Sequence, residues 1–526
     1  MKFRAVFYSL GRLMQMLAGV LLVPLGIALW QQKDSGLLWN TETSSFTLTI
    51  IISLVLGTAL QIIFRSGRYD QGIREGFAIV TLGWVLLALL GSVPFTVHFL
   101  SQGFSPLLAF TDAYFEVMSG FTTTGATILG DIEALPRGLL FWRSLTHWLG
   151  GMGIVTLVLA IFPAMGVGGY QMFRGEVPGP TADRLRPRLA ETAKILWGVY
   201  VLLTGIEVLL LMFGGMDLFD ALCHAFGTLA TGGFSTRNAS VGAYESAYID
   251  WVVIVFMFMA GTNFLLHYRL LFRGDWLSLR RNREFHFYFG AVALAIAFTT
   301  LMLWIGGLPE SSEVAGHFQN EPRGDTELLG HLDRESDKVA SLPGAFRYAS
   351  FQVIAIVTTT GFGTADFDAW PRAIGLLFVV FMFWGGCAGS TGGGMKMIRV
   401  MVTFKAAYRE MKKVVRPRLI SPLKVRRVPL GEDRVANIVG FFVLFVGLFV
   451  VCSVLMAFFV PDLTTAVSSV AATIGNIGPG LSGVGSTQTY AWIPIPGKWV
   501  LMLCMLLGRL EIFTVLVVMR PGFWRK

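Results

Sequence analysis

Apolar runs of about 20 residues recur along this chain, separated by short polar stretches, and runs of that length cross roughly 30 Å of hydrocarbon when helical. They fall near residues 11–30, 47–64, 75–97, 138–163, 192–213, 248–272, 285–307, 369–395, 435–460 and 494–519. This pattern predicts an all-α polytopic membrane protein with an even number of spans, so that both termini lie on one side. After the third, fifth, seventh and ninth spans comes a semi-apolar segment too short to cross: Ala109–Gly120, Leu218–Gly227, Phe346–Val357 and Thr464–Ala472. Twelve helical residues rise only about 18 Å, so each segment is predicted to enter and return from the same side. Non-helical backbone at that depth is tolerated only where protein encloses it or it lines a watery cavity.

Each short segment runs into a Gly/Thr-rich stretch. The four read Phe121-Thr122-Thr123-Thr124-Gly125-Ala126, Thr228-Leu229-Ala230-Thr231-Gly232-Gly233-Phe234, Thr358-Thr359-Thr360-Gly361-Phe362-Gly363 and Thr473-Ile474-Gly475-Asn476-Ile477-Gly478-Pro479-Gly480. Aligned on Gly125, Gly232, Gly361 and Gly478, they are spaced by 107, 129 and 117 residues, which is the spacing of duplicated membrane units rather than of a solenoid. One such stretch would read as an ordinary interhelical loop; four in register, each behind a half-length helix, do not. The chain divides into two N-terminal helices (1–70) and four units of span, half-helix, turn and span: 71–170, 171–280, 281–428 and 429–526.

The chemistry this arrangement suits is cation dehydration. An ion entering the membrane exchanges its water for oxygen ligands, and consecutive backbone carbonyls can supply them around an axis. The backbone angles required are ones that glycine adopts cheaply, and the partly negative C-terminal ends of the half-helices favour a cation. The candidate ion-binding residues are Thr123, Thr124 and Gly125; Ala230, Thr231 and Gly232; Thr359, Thr360 and Gly361; and Asn476, Ile477 and Gly478. The cation is expected at Thr124, Thr231, Thr360 and Ile477. Flanking threonine hydroxyls either add ligands or brace the loop.

The span starting near Ala369 carries Gly385, Gly386, Gly389, Gly392, Gly393 and Gly394. Each glycine costs a helix interior roughly 1 kcal/mol relative to alanine, so this helix is expected to open into a loop beneath the third turn; close helix packing through small residues is the alternative. Arg509 sits about ten residues, or roughly 15 Å, from the inner end of the last span, too deep to snorkel easily, and intramembrane charges tend to face cavities. Pairing with Glu511 is the competing reading, disfavoured because residues two apart on a helix do not face each other. Glu207, inside the fifth span, either pairs with a neighbouring helix or binds a coupling ion. His147, Asn263 and His267 read as hydrogen-bonding helix partners.

Composition changes the picture only by narrowing it. With 54% hydrophobic and 14% charged residues among 526, the chain has too few charges to cover a soluble surface. The excess of 42 Lys+Arg over 33 Asp+Glu tempts a nucleic-acid reading, but the bases cluster in short loops. Segment 396–427 holds eleven bases and one acid, Glu410, whereas 308–340 holds eight acids and three bases. Basic loops mark the cytoplasmic face, which places both termini inside and makes 308–340 a solvated outer insert. The basic N-terminal run reads as a retained first membrane helix, since its apolar stretch outruns a leader's and no small-residue cleavage site follows. Cys223, Cys387, Cys452 and Cys504 all lie in apolar stretches without metal-ligand spacing and read as packing residues. No phosphate-binding loop, dinucleotide fingerprint or zinc signature is present, and no catalytic constellation supports an enzyme. A broken-helix solute carrier would place polar sites at the midplane between inverted repeats, whereas here every half-helix enters from the outer side.

The chain resembles the TrkH branch of the Trk/Ktr/HKT family of potassium transporters. The resemblance rests on the four turns and on Arg143-Ser144-Leu145-Thr146-His147-Trp148-Leu149-Gly150-Gly151-Met152-Gly153, Ala230-Thr231-Gly232-Gly233-Phe234-Ser235, the glycine run 385–394 and Gly508-Arg509-Leu510-Glu511; the two extra N-terminal spans separate it from the shorter KtrB branch. It implies one potassium pathway enclosed by four unequal membrane–pore–membrane repeats. It also implies a gate at 385–394 with Arg509 as an electrostatic barrier, and a homodimer in a prokaryotic cytoplasmic membrane. A cytosolic TrkA-like nucleotide-binding regulatory subunit is implied as a partner; the basic inner loops would meet it or anionic lipid. In the related plant transporters a serine in place of the first filter glycine accompanies sodium preference, so Gly125 favours potassium. The alternative within the class is a sodium-coupled or weakly selective KtrB-like translocator.

Overall fold

The computed structural model describes all residues except 32–39, 68–71, 162–188, 309–332, 418–421, 426–427 and 526. The described residues form helices α1 (Phe3–Gln31), α2 (Thr41–Ile63), α3 (Ile73–Gly91), α4 (Val93–Ser101), α5 (Pro106–Phe121), α6 (Arg137–Ile161), α7 (Leu189–Phe213), α8 (Leu218–Leu229), α9 (Ala247–Ala260) and α10 (Phe264–Arg273). They continue through α11 (Trp276–Arg281), α12 (Arg283–Gly306), α13 (Leu342–Val357), α14 (Arg372–Met382), α15 (Met397–Val415), α16 (Glu432–Met456), α17 (Leu463–Ile474), α18 (Ile495–Arg509), α19 (Phe513–Met519) and α20 (Pro521–Trp524). A single two-residue-per-strand hairpin, Lys424–Val425 with Val428–Pro429, is the only sheet among them.

Six of these helical stretches are long and apolar enough to cross a membrane, and two further pairs qualify as bent spans. The ten runs expected from hydropathy therefore separate into three kinds. Runs one, two, three, five, seven and nine are α1, α2, α3 with α4, α7, α12 and α16. Runs six and ten are sharply bent, α9 to α10 by 104° and α18 to α19 by 118°. Run four is α6, which leaves helical geometry at Gly153 (φ 72°), and run eight is the short α14 followed by a non-helical stretch. Hydropathy averages over a window and cannot register a bend inside it.

The four half-length segments are α5, α8, α13 and α17, and their starts follow from local chemistry. Asp217, Ser341 and Asp462 accept hydrogen bonds from the third backbone N–H of their helices, at 2.8, 3.2 and 2.7 Å, satisfying a donor the helix cannot. Pro106 opens α5, where its missing N–H costs nothing. All four are sheathed: the last turns of α5, α8, α13 and α17 are buried throughout.

α1 and α2 lie against each other through Gly11 and Gly57, where a Cβ on either would run into the other's carbonyl oxygen; small residues permit this backbone approach. The basic segment 396–427, expected as a loop, is largely the amphipathic helix α15. It buries Met397, Val400, Met401 and Ala406 on one side. The acidic insert 308–340 falls mostly outside the described residues.

Candidate functional site

The four half-helices end in one turn geometry. Each is capped at its C-terminus by Thr122, Ala230, Thr358 or Gly475. The next residues, Thr123, Thr231, Thr359 and Asn476, are left-handed with φ of 49°, 55°, 62° and 55°, although none is glycine and the conformation costs about 1–2 kcal/mol each. The following N–H groups return to the helix: Thr124 to Ser119, Gly232 to Gly227, Thr360 to Ala355 and Ile477 to Ala472, all at 2.8 Å. Then come Gly125, Gly233, Gly361 and Gly478, with φ of 80°, 78°, 77° and 102°.

This register corrects the alignment drawn from the sequence in the second unit. Gly233, not Gly232, occupies the position of Gly125; Gly232 corresponds to Thr124, Thr231 to Thr123, and Ala230 is the helix cap. Two consecutive glycines are indistinguishable by composition, and only the backbone angles decide which takes the left-handed position.

The glycines join the four turns into a ring. A Cβ on Gly125 would collide with the carbonyl oxygen of Gly232, one on Gly233 with that of Thr360, and one on Gly361 with that of Ile477. A Cβ on Gly478 would stand 2.8 Å from the carbonyl oxygen of Thr124. Each turn thus presses its glycine against the carbonyl of the next, and the fourth closes on the first. The carbonyls at that position are those of Thr124, Gly232, Thr360 and Ile477, so that in the second unit it is Gly232 and not Thr231 that stands there.

Side chains brace this ring. The hydroxyls of Thr122 and Thr124 are 2.8 Å apart and those of Thr358 and Thr360 2.7 Å. The Asn476 amide donates to Thr124 Oγ1 at 3.0 Å and to the Met505 carbonyl at 2.9 Å. Buried Arg143 lies 2.6 Å from Glu116, donates to the Ser235 carbonyl at 2.8 Å and covers the Phe234 ring at 3.6 Å. His147 stacks on the same phenyl ring, with centroids 3.9 Å apart. Glu116 also receives Thr127 Oγ1 and the Ile128 N–H, so one carboxylate ties the first half-helix to the stretch leaving its turn. Tyr490 donates to the Gly478 carbonyl at 2.7 Å. Further out, the Asn238 amide holds the exposed Asp131 carboxyl below its ordinary range.

Below the ring, α14 stops at Met382 and residues 383–396 form the loop anticipated from the glycine run. Gly389 and Gly394 take φ of 79° and 58°; Gly385 abuts the Gly393 carbonyl, Gly386 the Gly261 carbonyl and Gly393 the Gly475 carbonyl. Gly392 lies under the Thr358 carbonyl, 3.1 Å from where a Cβ would be. The Gly393 N–H donates to Thr359 Oγ1 at 2.7 Å and Thr391 Oγ1 to the Leu229 carbonyl at 2.9 Å. The loop therefore touches the ends of the second, third and fourth half-helices. Arg509, the last residue of α18, donates to the carbonyls of Thr391 (2.7 Å), Gly150 (2.5 Å) and Gly151 (3.0 Å), linking the loop to α6. Glu511 is paired with Arg399, at 2.6 Å.

Asn263 caps α10 by accepting the Leu265 N–H at 2.8 Å, and His267 reaches the Met259 carbonyl at 2.8 Å across the α9–α10 bend, both as helix partners. Glu207 is fully buried beside Thr228, with neither oxygen in a hydrogen bond among the described residues. The four cysteines are buried and free. Sequence reasoning passed over Glu116, Asp112, Lys498 and Glu284; for the first three the available signal was a charge inside an otherwise apolar stretch, whereas Glu284 directly follows the basic run Arg280, Arg281 and Arg283.

A multi-pass helical membrane protein whose half-helices converge on a ring of backbone carbonyls belongs to the class of cation transport proteins. The TrkH family, described as cation transport proteins, matches residues 42–525, and the chain belongs to it. It is 38% identical over 527 residues, all of both chains, to the Trk system potassium uptake protein TrkH of Escherichia coli K12. It is 30% identical over 528 residues to TrkG of the same strain, covering 99% of each. The crystal structure of the potassium transporter TrkH from Vibrio parahaemolyticus superposes with a TM-score of 0.81 at 34% identity, covering all of both chains. These relatives are transporters, not enzymes.

Proposed function

We propose that this protein carries potassium into the cell through one pore, selected at the ring of turns and gated by the loop at 385–394 with Arg509. The observation that carries this reading is the closed ring, in which four glycines seat four carbonyls of neighbouring units. Carbonyls fixed at one level around an axis replace an ion's water without a charged side chain. The groups at that level are the carbonyls of Thr124, Gly232, Thr360 and Ile477, flanked by Thr123, Thr231, Thr359 and Asn476. The Thr124 and Thr360 hydroxyls serve as braces rather than ligands, since they are bonded to Thr122, Thr358 and Asn476.

The four units 71–170, 171–280, 281–428 and 429–526 are read as pseudo-equivalent quarters of the pore, with 1–70 packed outside them. The protein is read as resident in a prokaryotic cytoplasmic membrane with both termini inside, as a homodimer with one pore per protomer. A TrkA-like nucleotide-binding subunit would regulate it from the cytosol, and anionic lipid would meet the basic inner segments.

The test is radiolabelled rubidium uptake into proteoliposomes, with potassium or sodium as competitor, in the parent and in Gly125→Ser. Competition by potassium but not sodium, weakened in the variant, is the expected result. Equal competition by sodium in the parent would replace potassium selectivity with the weakly selective or sodium-coupled reading.

A further inference from the structure

We infer that Glu284 is the latch that holds the intramembrane loop in its seat, through one carboxylate oxygen shared by two backbone N–H groups, one within the glycine run and one beyond it. Glu284 lies in the first turn of α12 and is 9% exposed. Its Oε1 accepts the N–H of Ala388 at 2.7 Å and that of Ile398 at 3.1 Å. The first donor is inside the loop; the second is in the opening turn of α15, beyond it. Both the loop and its exit are therefore tied to a helix 104 and 114 residues earlier in the chain.

The need for an outside acceptor follows from local sequence. The residue at the N-cap of α15 is Lys396, which makes no side-chain cap bond, because an ammonium has no acceptor to offer. A carboxylate from another helix fills that role and sits favourably at the positive end of the α15 dipole. Other side-chain holds on the loop are Arg509 on the Thr391 carbonyl, Thr359 on the Gly393 N–H, Thr391 Oγ1 on the Leu229 carbonyl and Lys396 on the Gly392 carbonyl. Glu284 holds the loop from α12, so displacing the loop breaks its contacts there as well as those on α18 and the turns. Glu284 accepts two N–H groups on one oxygen, against the single loop N–H that Thr359 accepts. Glu284 is a positioning residue: it acts on ions only through the loop.

This inference rests on the reading of the loop as a gate, and the experiment separates the two. In the full chain with Cys223, Cys452 and Cys504 replaced by serine, Cys387 is the remaining thiol; it is 1% exposed and adjoins Ala388. Glu284→Ala is compared with the parent for reaction of Cys387 with a charged methanethiosulfonate from the cytoplasmic side and for rubidium influx, with Glu284→Gln as the variant that keeps an oxygen acceptor. The latch predicts that labelling and influx both rise roughly tenfold in Glu284→Ala, the scale of losing two hydrogen bonds, and rise less in Glu284→Gln, with potassium-over-sodium competition unchanged. Unchanged labelling in properly assembled Glu284→Ala overturns the latch. Faster labelling with unchanged influx overturns the loop as gate, and with it any control of ion flow by Glu284.

Discussion

Lys498 and Asp112 stand 2.7 Å apart, joining α18 to α5 across 386 residues of chain, with 1% and 6% of their side chains exposed. A cation and an anion in hydrocarbon surroundings are tolerable only together, so this pair fixes the first half-helix against the outer limb of the last, bent span. Removing one partner strands the other, a loss of about 3–5 kcal/mol. Lys498→Met is expected to lower the unfolding midpoint in detergent sharply. Lys498→Met with Asp112→Leu should recover much of it, and additive losses in the two single variants would show that the pair is not coupled.

The register of the second turn makes a separable prediction. Gly233→Ala places a Cβ against the Thr360 carbonyl at a left-handed position, so rubidium influx should be lost and no side-chain change should restore it. Gly232→Ala meets the ring of His147 instead. His147→Ala should therefore rescue Gly232→Ala and leave Gly233→Ala inactive. Rescue of both, or of neither, would overturn the register.

Arg509 spreads one guanidinium over three carbonyls on two elements. Arg509→Ala removes charge-assisted bonds worth about 1.5–3 kcal/mol each and should raise influx at least tenfold. Arg509→Lys keeps the charge but replaces a planar fork with a point donor. Its influx should fall between the two; equality with the parent would mean that charge alone closes the path.

Arg143 reaches Glu116, the Ser235 carbonyl and the Phe234 face at once, coupling the first turn to the second. Arg143→Lys cannot reproduce a stacked guanidinium that donates from two nitrogens to two acceptors. It is expected to assemble normally yet lose discrimination between potassium and sodium in the uptake competition. Unaltered competition would confine Arg143 to stability.

Much of this architecture was legible in the sequence because membrane helices write themselves as apolar runs and half-helices as runs that stop short. The glycine run 385–394 announced its loop, since six glycines in ten residues cannot sustain a helix. The bends did not show. α6 at Gly153, α9–α10 around Thr262 and α18–α19 around Glu511 all lie inside apolar windows whose averages stay high. The pairing of Arg509 and Glu511 with different partners depends on the bend between them, which turns the two side chains onto different elements. Contacts such as Glu284 with Ala388 end on main-chain atoms, which have no signature in residue identity at either position.

The ring of turns is built from glycines on one side of each contact and main-chain oxygens on the other. A main-chain oxygen is the same whether its residue is Thr124, Gly232, Thr360 or Ile477, so three different residue types stand at one level without changing what that level offers. The four turns could thus differ in almost every side chain while the ring persisted, guarded only by the absence of a single carbon atom at four places.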